Sequence, residues 1–231
     1  MRKTERRKTG IKGLDEMLKG GIPDHNHVVV CGGPGTGKTL FGMEFLYNGA
    51  KIDERGLFIS LEEIPEMIIN NTLAAFPEWN DLDELIDKKK ITVIKPDKYD
   101  FANFSDILQA YVTQHGVKRV VIDSATILKL SFEKELEFRK KLVDFLSFVR
   151  RLDCTTILTA ELSMPLRGKM RYTLEQFVAD GVIVLYNLEK GERRVRALEI
   201  IKMRGTDHSR DLVPFKFTSS GIEVYVGEKV Y

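Results

Sequence analysis

The glycine-rich segment at residues 32–39 constrains this chain more than any other part of its sequence. Its letters, GGPGTGKT, fit the pattern G-x-x-x-x-G-K-[ST] in full, in which glycines let successive backbone N–H groups point inward at a phosphate chain. The pattern places Lys38 to reach phosphate oxygens and the Thr39 hydroxyl to ligate Mg²⁺. The segment leaves an apolar run at 27–31 and enters a helical pattern at 38–50. This context predicts a nucleotide phosphate site, against a chance match in a glycine-rich turn.

A carboxylate that could hold the metal follows another apolar run. Residues 119–122 lead directly into Asp123, with Ser124 next. A strand that ends in aspartate is weak evidence alone, because many turns begin that way. In a chain that already contains the phosphate motif, Asp123 joins Thr39 as a predicted metal ligand.

Two adjacent glutamates, Glu62 and Glu63, follow the strand-like run 57–61. They would emerge at the carboxyl ends of parallel strands, where ligands bind in such sheets. One of them could position or deprotonate the water that attacks a phosphate, but adjacent side chains diverge, so only one can face it. The alternative is that both only add negative charge to the first turn of the next helix.

Strand-like and helix-like segments alternate along most of the chain, which indicates a parallel sheet covered by helices on both faces. Three short runs near the end, joined by turns, indicate antiparallel pairs at the sheet edge. The predicted strands are 27–31, 57–61, 91–94, 119–122, 155–160, 182–186, 197–201, 213–217 and 222–226. The predicted helices are 38–50, 65–76, 104–114 and 133–152. The last helix carries apolar residues at helical spacing, namely Leu136, Leu142, Val143, Phe145, Leu146 and Val149.

Length and composition limit the class of protein. With 231 residues, of which 43% are hydrophobic, the chain suits one domain over 1–231, with a basic, flexible tail at 1–8. The 36 basic and 34 acidic side chains give a formal net charge of +2, which offers no general argument for nucleic acid. No apolar run approaches the ~18 residues of a membrane-spanning helix. Cys31 and Cys154 lack the spacing of a metal site or disulfide framework, so buried thiols are expected.

Several motifs together resemble the RecA-like ATPases of the KaiC and RadA group, most closely a single KaiC-type domain of the archaeal kind. Besides the phosphate motif they are EFLYNGA at 44–50, SLEE at 60–63, VVIDS at 120–124, VADGVI at 178–183 and IKMRGTDH at 201–208. The resemblance spans nearly the whole chain. It implies an α/β fold of the RecA-like P-loop NTPase type, with a central, mostly parallel sheet flanked by helices and antiparallel strands at the C-terminal edge.

The resemblance also implies a ring oligomer, usually a hexamer, with ATP and Mg²⁺ bound between neighbouring subunits. It implies Glu62 and Glu63 as the catalytic pair beside Lys38, and Lys202 and Arg204 as cations inserted into the neighbouring subunit's site. Such cations would stabilise charge on the phosphoryl oxygens in the transition state, although a solvated basic turn is the alternative. The predicted nucleotide-binding residues are Gly32, Gly33, Pro34, Gly35, Thr36, Gly37, Lys38, Thr39, Leu40, Lys202, Met203, Arg204, Thr206 and His208. The predicted metal ligands are Thr39 and Asp123.

The chain departs at several points from the proteins that it resembles. KaiC has two such domains in tandem and this chain has one, so a clock function is not expected. Gln176 and Phe177 stand where the phosphorylated domain of KaiC carries a serine–threonine pair, so self-phosphorylation there is not expected. Glu161 stands where RadA-type recombinases carry a nucleotide-sensing amide. A recombinase also carries an additional module that is not expected here, so strand exchange is not an expected activity of this chain.

A basic segment after the predicted strand 155–160 could contact single-stranded DNA. In the RecA group, the loop at this place lines the channel of the ring, and here it carries Arg167, Lys169 and Arg171. These cations could track phosphates, and Tyr172 could stack on a base. Solvated loop charges explain the same residues equally well, since 30% of the chain is charged.

The motifs and the resemblance together predict a cytoplasmic RecA-fold ATPase with ATP and Mg²⁺, and the resemblance implies that it works as a homo-oligomer. Two alternatives stay open. One is a regulatory module that holds ATP with little turnover and acts through protein partners. The other is a recombination mediator that binds single-stranded DNA.

Overall fold

The apolar runs predicted as strands join into one sheet in the computed structural model of the chain, which describes residues 5–162 and 174–230. Within these residues the strands are β1 Arg6–Arg7, β2 Ile22–Pro23, β3 His27–Gly32, β4 Gly56–Ser60, β5 Ile91–Ile94, β6 Arg119–Asp123, β7 Thr155–Glu161, β8 Gly181–Lys190, β9 Arg193–Met203, β10 Val213–Thr218 and β11 Gly221–Val224. The helices are α1 Leu14–Met17, α2 Lys38–Lys51, α3 Pro65–Ala75, α4 Leu82–Asp87, α5 Phe101–His115, α6 Ala125–Leu130, α7 Glu135–Arg151 and α8 Leu174–Val178.

Within the described part of the chain, the main sheet has nine strands in the order β11-β10-β9-β8-β3-β7-β6-β4-β5. Every neighbouring pair from β8 to β5 is parallel, whereas β8, β9, β10 and β11 pair antiparallel in succession. The predicted α/β architecture, with a mostly parallel sheet and antiparallel strands at its C-terminal edge, is confirmed. Parallel pairing brings the carboxyl ends of β3, β4, β6 and β7 to one edge of the sheet.

Each parallel strand supplies side chains to two hydrophobic cores, one on each face of the sheet. Along β3, Val28 and Val30 belong to the core that contains α2, while Val29 and Cys31 belong to the core that contains α5 and α7. All four side chains are buried. Because successive residues of a strand face opposite sides, burial on both faces requires a strand that is apolar throughout.

Helix α7 buries a narrower stripe than its sequence predicts. Phe138, Leu142 and Phe145 are buried, but Leu136 is 79% exposed and Val143 is 40% exposed. An α-helix turns about 100° per residue, so Leu136 lies about 200° away from Phe138, on the solvent side. The expectation that Leu136 and Val143 belong to the apolar face is therefore wrong.

Part of the expected flexible tail is ordered. Arg6 and Arg7 form β1, which pairs with β2 in a separate two-stranded sheet. The Arg7 guanidinium is buried and forms ion pairs at 2.7 Å with both Asp24 and Glu54. Glu54 also pairs with Arg119, the first residue of β6, at 2.6 Å. Since a buried guanidinium is costly without partners, this network fixes Arg7 in place, and the expected flexibility is wrong for Arg6 and Arg7.

Both cysteines are buried free thiols, as expected. Burial raises the pKa of Cys31 to about 12 and that of Cys154 to about 11, so neither thiol ionises readily near neutral pH. None of the helices in the described residues is long and apolar enough to cross a membrane.

Candidate functional site

The phosphate loop, residues 32–39, connects the carboxyl end of β3 to the first turn of α2. Gly35 and Gly37 have φ angles of +71° and +95°, a region that side chains with a Cβ rarely adopt. The Thr36 hydroxyl donates a hydrogen bond of 2.8 Å to the Gly33 carbonyl, which closes the loop on itself. Gly37 precedes α2 and supplies no side-chain cap. The first N–H groups of α2 are therefore left for an anion.

Two glycines of the loop also lie against neighbouring strands. A Cβ on Gly37 would lie 2.2 Å from Phe217 Cζ on β10, and one on Gly32 would lie 2.5 Å from the Leu185 carbonyl oxygen on β8. These are close approaches of backbone to neighbouring atoms, which only glycine permits. The antiparallel edge of the sheet thus forms one wall of the phosphate loop, a contact that the motif alone does not predict.

Lys38 lies within the loop rather than extending into solvent. Its Nζ donates hydrogen bonds to the carbonyl oxygens of Gly32 and Gly33, each at 3.2 Å. An ammonium held by backbone carbonyls is ready to exchange them for the stronger, charge-assisted bonds of a phosphate.

Thr39 and Asp123, the two predicted metal ligands, lie together. The Thr39 hydroxyl donates to Asp123 Oδ2 at 2.7 Å, and the Thr159 hydroxyl on β7 donates to Asp123 Oδ1. Burial raises the pKa of Asp123, and the negative charge of Glu62 acts in the same direction, while the two threonine hydrogen bonds lower it. Two oxygen donors beside the phosphate loop, one of them a carboxylate, suit Mg²⁺.

The two adjacent glutamates diverge, as the sequence predicts. Glu62 Oε1 accepts a hydrogen bond of 2.8 Å from the Ser124 hydroxyl, which places its carboxylate beside Asp123. Glu63 Oε2 instead accepts one of 3.1 Å from Asn71 on α3. Glu62 therefore faces the predicted metal ligands, and Glu63 faces the surface of the next helix.

Lys202 and Arg204 lie at the opposite end of the sheet from the phosphate loop of their own chain. On β9, Met203 lies between the two cations and is opposite Gly181 of β8. Gly181 is in turn opposite Val28, near the start of β3, whereas the phosphate loop begins at Gly32, the last residue of β3. A strand rises about 3.3 Å per residue, so Val28 lies about 13 Å from Gly32. Within one chain, the structure does not bring the two cations together with the phosphate loop.

The side chains of these two cations have different surroundings. Lys202 Nζ donates to the carbonyl oxygens of Phe177, at 3.2 Å, and of Ala179, at the end of α8. Burial and the nearby charge of Arg204 lower the pKa of Lys202. The Arg204 side chain is 60% exposed, and its guanidinium donates to Asp180 Oδ1 at 3.3 Å.

The other residues predicted on this segment have packing or turn contacts. Met203 is 4% exposed, and the Thr206 hydroxyl accepts a hydrogen bond of 2.8 Å from Arg6. His208 Nδ1 lies 2.7 Å from the Ser209 carbonyl oxygen. The DNA contacts predicted for Arg167, Lys169 and Arg171 lie outside the described residues.

Sequence reasoning missed Thr159 and Phe217. Thr159 is a buried hydroxyl residue in an otherwise apolar stretch of β7. A polar residue within an apolar strand is the sequence signal that could have identified it as part of the site. Phe217 reaches Gly37 only because β10 lies at the edge of the sheet near α2. No local pattern predicts such a contact.

Comparison with known proteins places the chain in one family. The family model described as "ATPase: KaiC" matches residues 7–229. The "Circadian clock oscillator protein KaiC" of Parathermosynechococcus lividus is 35% identical over 236 residues, which cover 97% of this chain and 43% of that protein. Its counterpart in Synechococcus elongatus is 34% identical over 229 residues, covering 94% of this chain and 44% of that protein. The chain spans less than half the length of these relatives, and it belongs to the KaiC family of ATPases.

Proposed function

We propose that this chain hydrolyses ATP to ADP and phosphate with Mg²⁺, and that a second copy of the chain completes each active site. The observation that carries the proposal is the division of the predicted groups between two ends of the sheet. The phosphate loop, Asp123 and Glu62 lie at the carboxyl ends of the parallel strands, and Lys202 and Arg204 lie at the opposite end. A ring, expected as a hexamer, would bring these two ends together.

Within one subunit, the phosphate loop binds the triphosphate through its backbone N–H groups and the N-terminus of α2. Lys38 exchanges the carbonyls of Gly32 and Gly33 for phosphate oxygens. Thr39 and Asp123 would hold Mg²⁺, which when bound neutralises part of the charge on the phosphate oxygens. These groups fix the position of the γ-phosphate, which is a large part of catalysis in phosphoryl transfer.

Glu62 is the proposed general base, or the group that positions the attacking water. The Ser124 hydrogen bond fixes one oxygen of its carboxylate, so that the other can face a water on the γ-phosphate side. Glu63 is oriented by Asn71, away from Asp123. We therefore assign Glu63 a structural role in the loop before α3 rather than a role in proton transfer.

The neighbouring subunit supplies positive charge to the transition state. Arg204 is suited to this role because its side chain is mostly exposed and its bond to Asp180 is long, so donors are available for phosphate oxygens. Lys202 would first have to leave the carbonyls at the end of α8. Charge that develops on the phosphoryl oxygens makes a cation delivered in this way effective.

Subunit mixing tests the proposal. Lys38→Ala subunits should lack phosphate binding but keep Arg204, and Arg204→Ala subunits should keep phosphate binding but lack the cation. Each variant alone should release phosphate at least about 100-fold more slowly than wild type. An equimolar mixture should regain a substantial part of the wild-type rate, because mixed contacts unite one intact half-site from each variant.

Two results would contradict the proposal. Wild-type turnover by Arg204→Ala would show that the cation is not used, and ATP binding without turnover in wild type would favour the regulatory module. Assays with and without single-stranded DNA separate the mediator, because only that function predicts stimulation by DNA. Sedimentation of each sample keeps loss of assembly apart from loss of chemistry.

A further inference from the structure

Asp180 contacts Arg204 and lies in the short connection between α8 and β8. It belongs to the VADGVI segment, to which the sequence gives no chemical role. Its side chain is only 4% exposed. A carboxylate this far from water is costly unless it is paired and hydrogen-bonded, so its partners indicate what it is there to hold.

Both oxygens of the Asp180 carboxylate are used. Oδ2 accepts hydrogen bonds from the His27 N–H, at 3.1 Å, and from Arg150 Nη2, at 2.6 Å. Oδ1 accepts one from Arg204 Nη1 at 3.3 Å. One side of the carboxylate is therefore anchored to the first residue of β3 and to α7, and the other side is presented to Arg204.

The backbone of Asp180 joins His27 of β3 to Arg204. Its N–H donates to the His27 carbonyl at 2.8 Å, and its carbonyl accepts from the Arg204 N–H, also at 2.8 Å. Asn26 Nδ2 donates to the Arg204 carbonyl at 3.3 Å. Arg204 is thus held at its N–H, its carbonyl and its guanidinium, and its main chain is fixed more firmly than its side chain.

The two arginines differ in how tightly they bind Asp180. The Arg150 contact is 2.6 Å and the Arg204 contact is 3.3 Å. If Arg204 turned toward a phosphate on another subunit, Arg150 would still neutralise the buried carboxylate, and the cost of an unpaired charge would be avoided. Because Arg150 also pairs with Asp180, the carboxylate can orient Arg204 and still release it.

We propose that Asp180 is the positioning residue for Arg204, and that it aims the guanidinium at the phosphates bound by the neighbouring subunit while Arg150 keeps the carboxylate paired. This inference rests on the proposed function, because it requires Arg204 to act on another subunit. The competing explanation is a purely structural one, in which Asp180 only attaches β8 to β3. The two explanations differ in which kind of subunit, when it carries a change at Asp180, lowers the turnover of a mixture.

Subunit mixing separates them. Asp180→Asn keeps an oxygen for the His27 N–H but removes the charge that holds the arginines. Introduced into Lys38→Ala subunits, which supply only Arg204, it should lower the turnover regained with Arg204→Ala subunits by about 10- to 100-fold, the cost of a misplaced catalytic group. Introduced into Arg204→Ala subunits, which supply only the phosphate loop, it should leave the regained turnover unchanged.

Asp24→Asn is the matched control. Asp24 is another partly buried carboxylate at this end of the sheet, paired with Arg7 at 2.7 Å and hydrogen-bonded to Thr155. Removing its charge should lower stability without changing the turnover regained in either type of subunit. Where Asp180→Asn alone fails to assemble, the double variant Asp180→Asn/Arg150→Gln removes the carboxylate charge and its cation together, and should show the same dependence on the type of subunit.

Each outcome decides the matter. Equal losses from both placements would overturn the positioning role in favour of the structural one, and no loss from either would show that Arg204 needs no help from Asp180. Failure of the unmodified mixture to regain turnover would instead remove the proposed function, and with it this inference, before Asp180 is changed. Phosphate release by Asp180→Asn/Arg204→Ala should equal that by Arg204→Ala alone.

Discussion

The carboxylate of Glu62 is bound by the hydroxyl of Ser124 at 2.8 Å, and Ser124 directly follows Asp123 in the chain. This hydrogen bond joins the carboxyl ends of two neighbouring strands, β4 and β6, which pair in parallel. It gives the two adjacent glutamates different environments, since Glu63 is bound instead by Asn71. We therefore expect Glu62 and Glu63 to differ in function, which the next variants test.

Glu62→Gln should lower the rate of phosphate release by about 10²- to 10⁴-fold, the contribution of a positioned general base. Glutamine keeps the shape and the Ser124 hydrogen bond but cannot accept a proton. Glu63→Gln, the matched control, should stay close to wild type. Both variants should bind a fluorescent ATP analogue normally. Equal loss of turnover in the two variants would contradict the assignment of Glu62.

Asp123→Asn should raise the Mg²⁺ concentration needed for half-maximal turnover by about 10- to 100-fold, since a neutral amide is a much poorer ligand for a hard cation. The measurement is a Mg²⁺ titration of phosphate release at fixed ATP. Asp53→Asn, which removes an exposed carboxylate paired with Lys90 at 3.0 Å, serves as the control and should leave the titration unchanged. An unchanged midpoint in Asp123→Asn would exclude this carboxylate from the metal site.

Gly37→Ala should destabilise the protein even without nucleotide. A residue other than glycine at φ +95° costs about 1–3 kcal/mol, and the new methyl would lie 2.2 Å from Phe217. Gly33→Ala is the control, because a Cβ there meets no atom within 4 Å, and its unfolding free energy should change by less than about 0.5 kcal/mol. Urea unfolding of both variants measures the difference. Equal unfolding free energies for the two variants would contradict both costs, that of the positive φ angle and that of the Phe217 contact.

Glu44 on α2 makes the stability of the fold depend on pH. Its side chain is 3% exposed, and Oε2 accepts a hydrogen bond of 2.7 Å from the Ile222 N–H on β11. Burial raises the pKa of Glu44 from 4.5 to about 8. Between these two values the folded protein holds a proton that the unfolded chain has released. The stability that this proton contributes is complete below pH 4.5 and is lost as the pH rises toward 8.

Glu44→Gln should remove this component, because glutamine keeps an acceptor for Ile222 and has no proton to lose. The wild-type unfolding free energy should fall by up to about 1.4 kcal/mol per pH unit relative to Glu44→Gln within this window. Urea unfolding at a series of pH values measures the slope. Glu66→Gln, a change on the exposed side of α3, should follow wild type. Parallel curves for wild type and Glu44→Gln would contradict the raised pKa.

The fold was predictable where apolar strands are buried on both faces, because such strands leave a continuous apolar run in the sequence. The elements that were missed are short or depend on distant partners. The two residues of β1 are arginines, and the burial of Arg7 depends on Asp24 and Glu54. Helix α4 has six residues, too few for a periodic pattern to be recognised. Leu136 was misassigned because periodicity gives the spacing of apolar residues but not which of them meets the sheet.

The candidate site was predictable where a motif fixes both residue types and spacing. Residues 32–39 meet this condition, and Asp123 follows from its place after an apolar strand. The choice between Glu62 and Glu63 depends on Ser124 and Asn71, and the orientation of Arg204 depends on Asp180. Such side-chain partners come together only when the sheet forms, so no local pattern in the sequence encodes them.

The opposite placement of the phosphate loop and Arg204 has a numerical consequence for any assembly of this chain. If a second copy completes each site as proposed, each contact between neighbours in an open row of n subunits would complete one site. Such a row would have n − 1 complete sites and one terminal subunit with bound nucleotide but no incoming cation. Closing the row into a ring adds the last site. Activity per subunit would therefore rise with assembly and fall on dilution, and an isolated subunit would hold ATP without the means to use it.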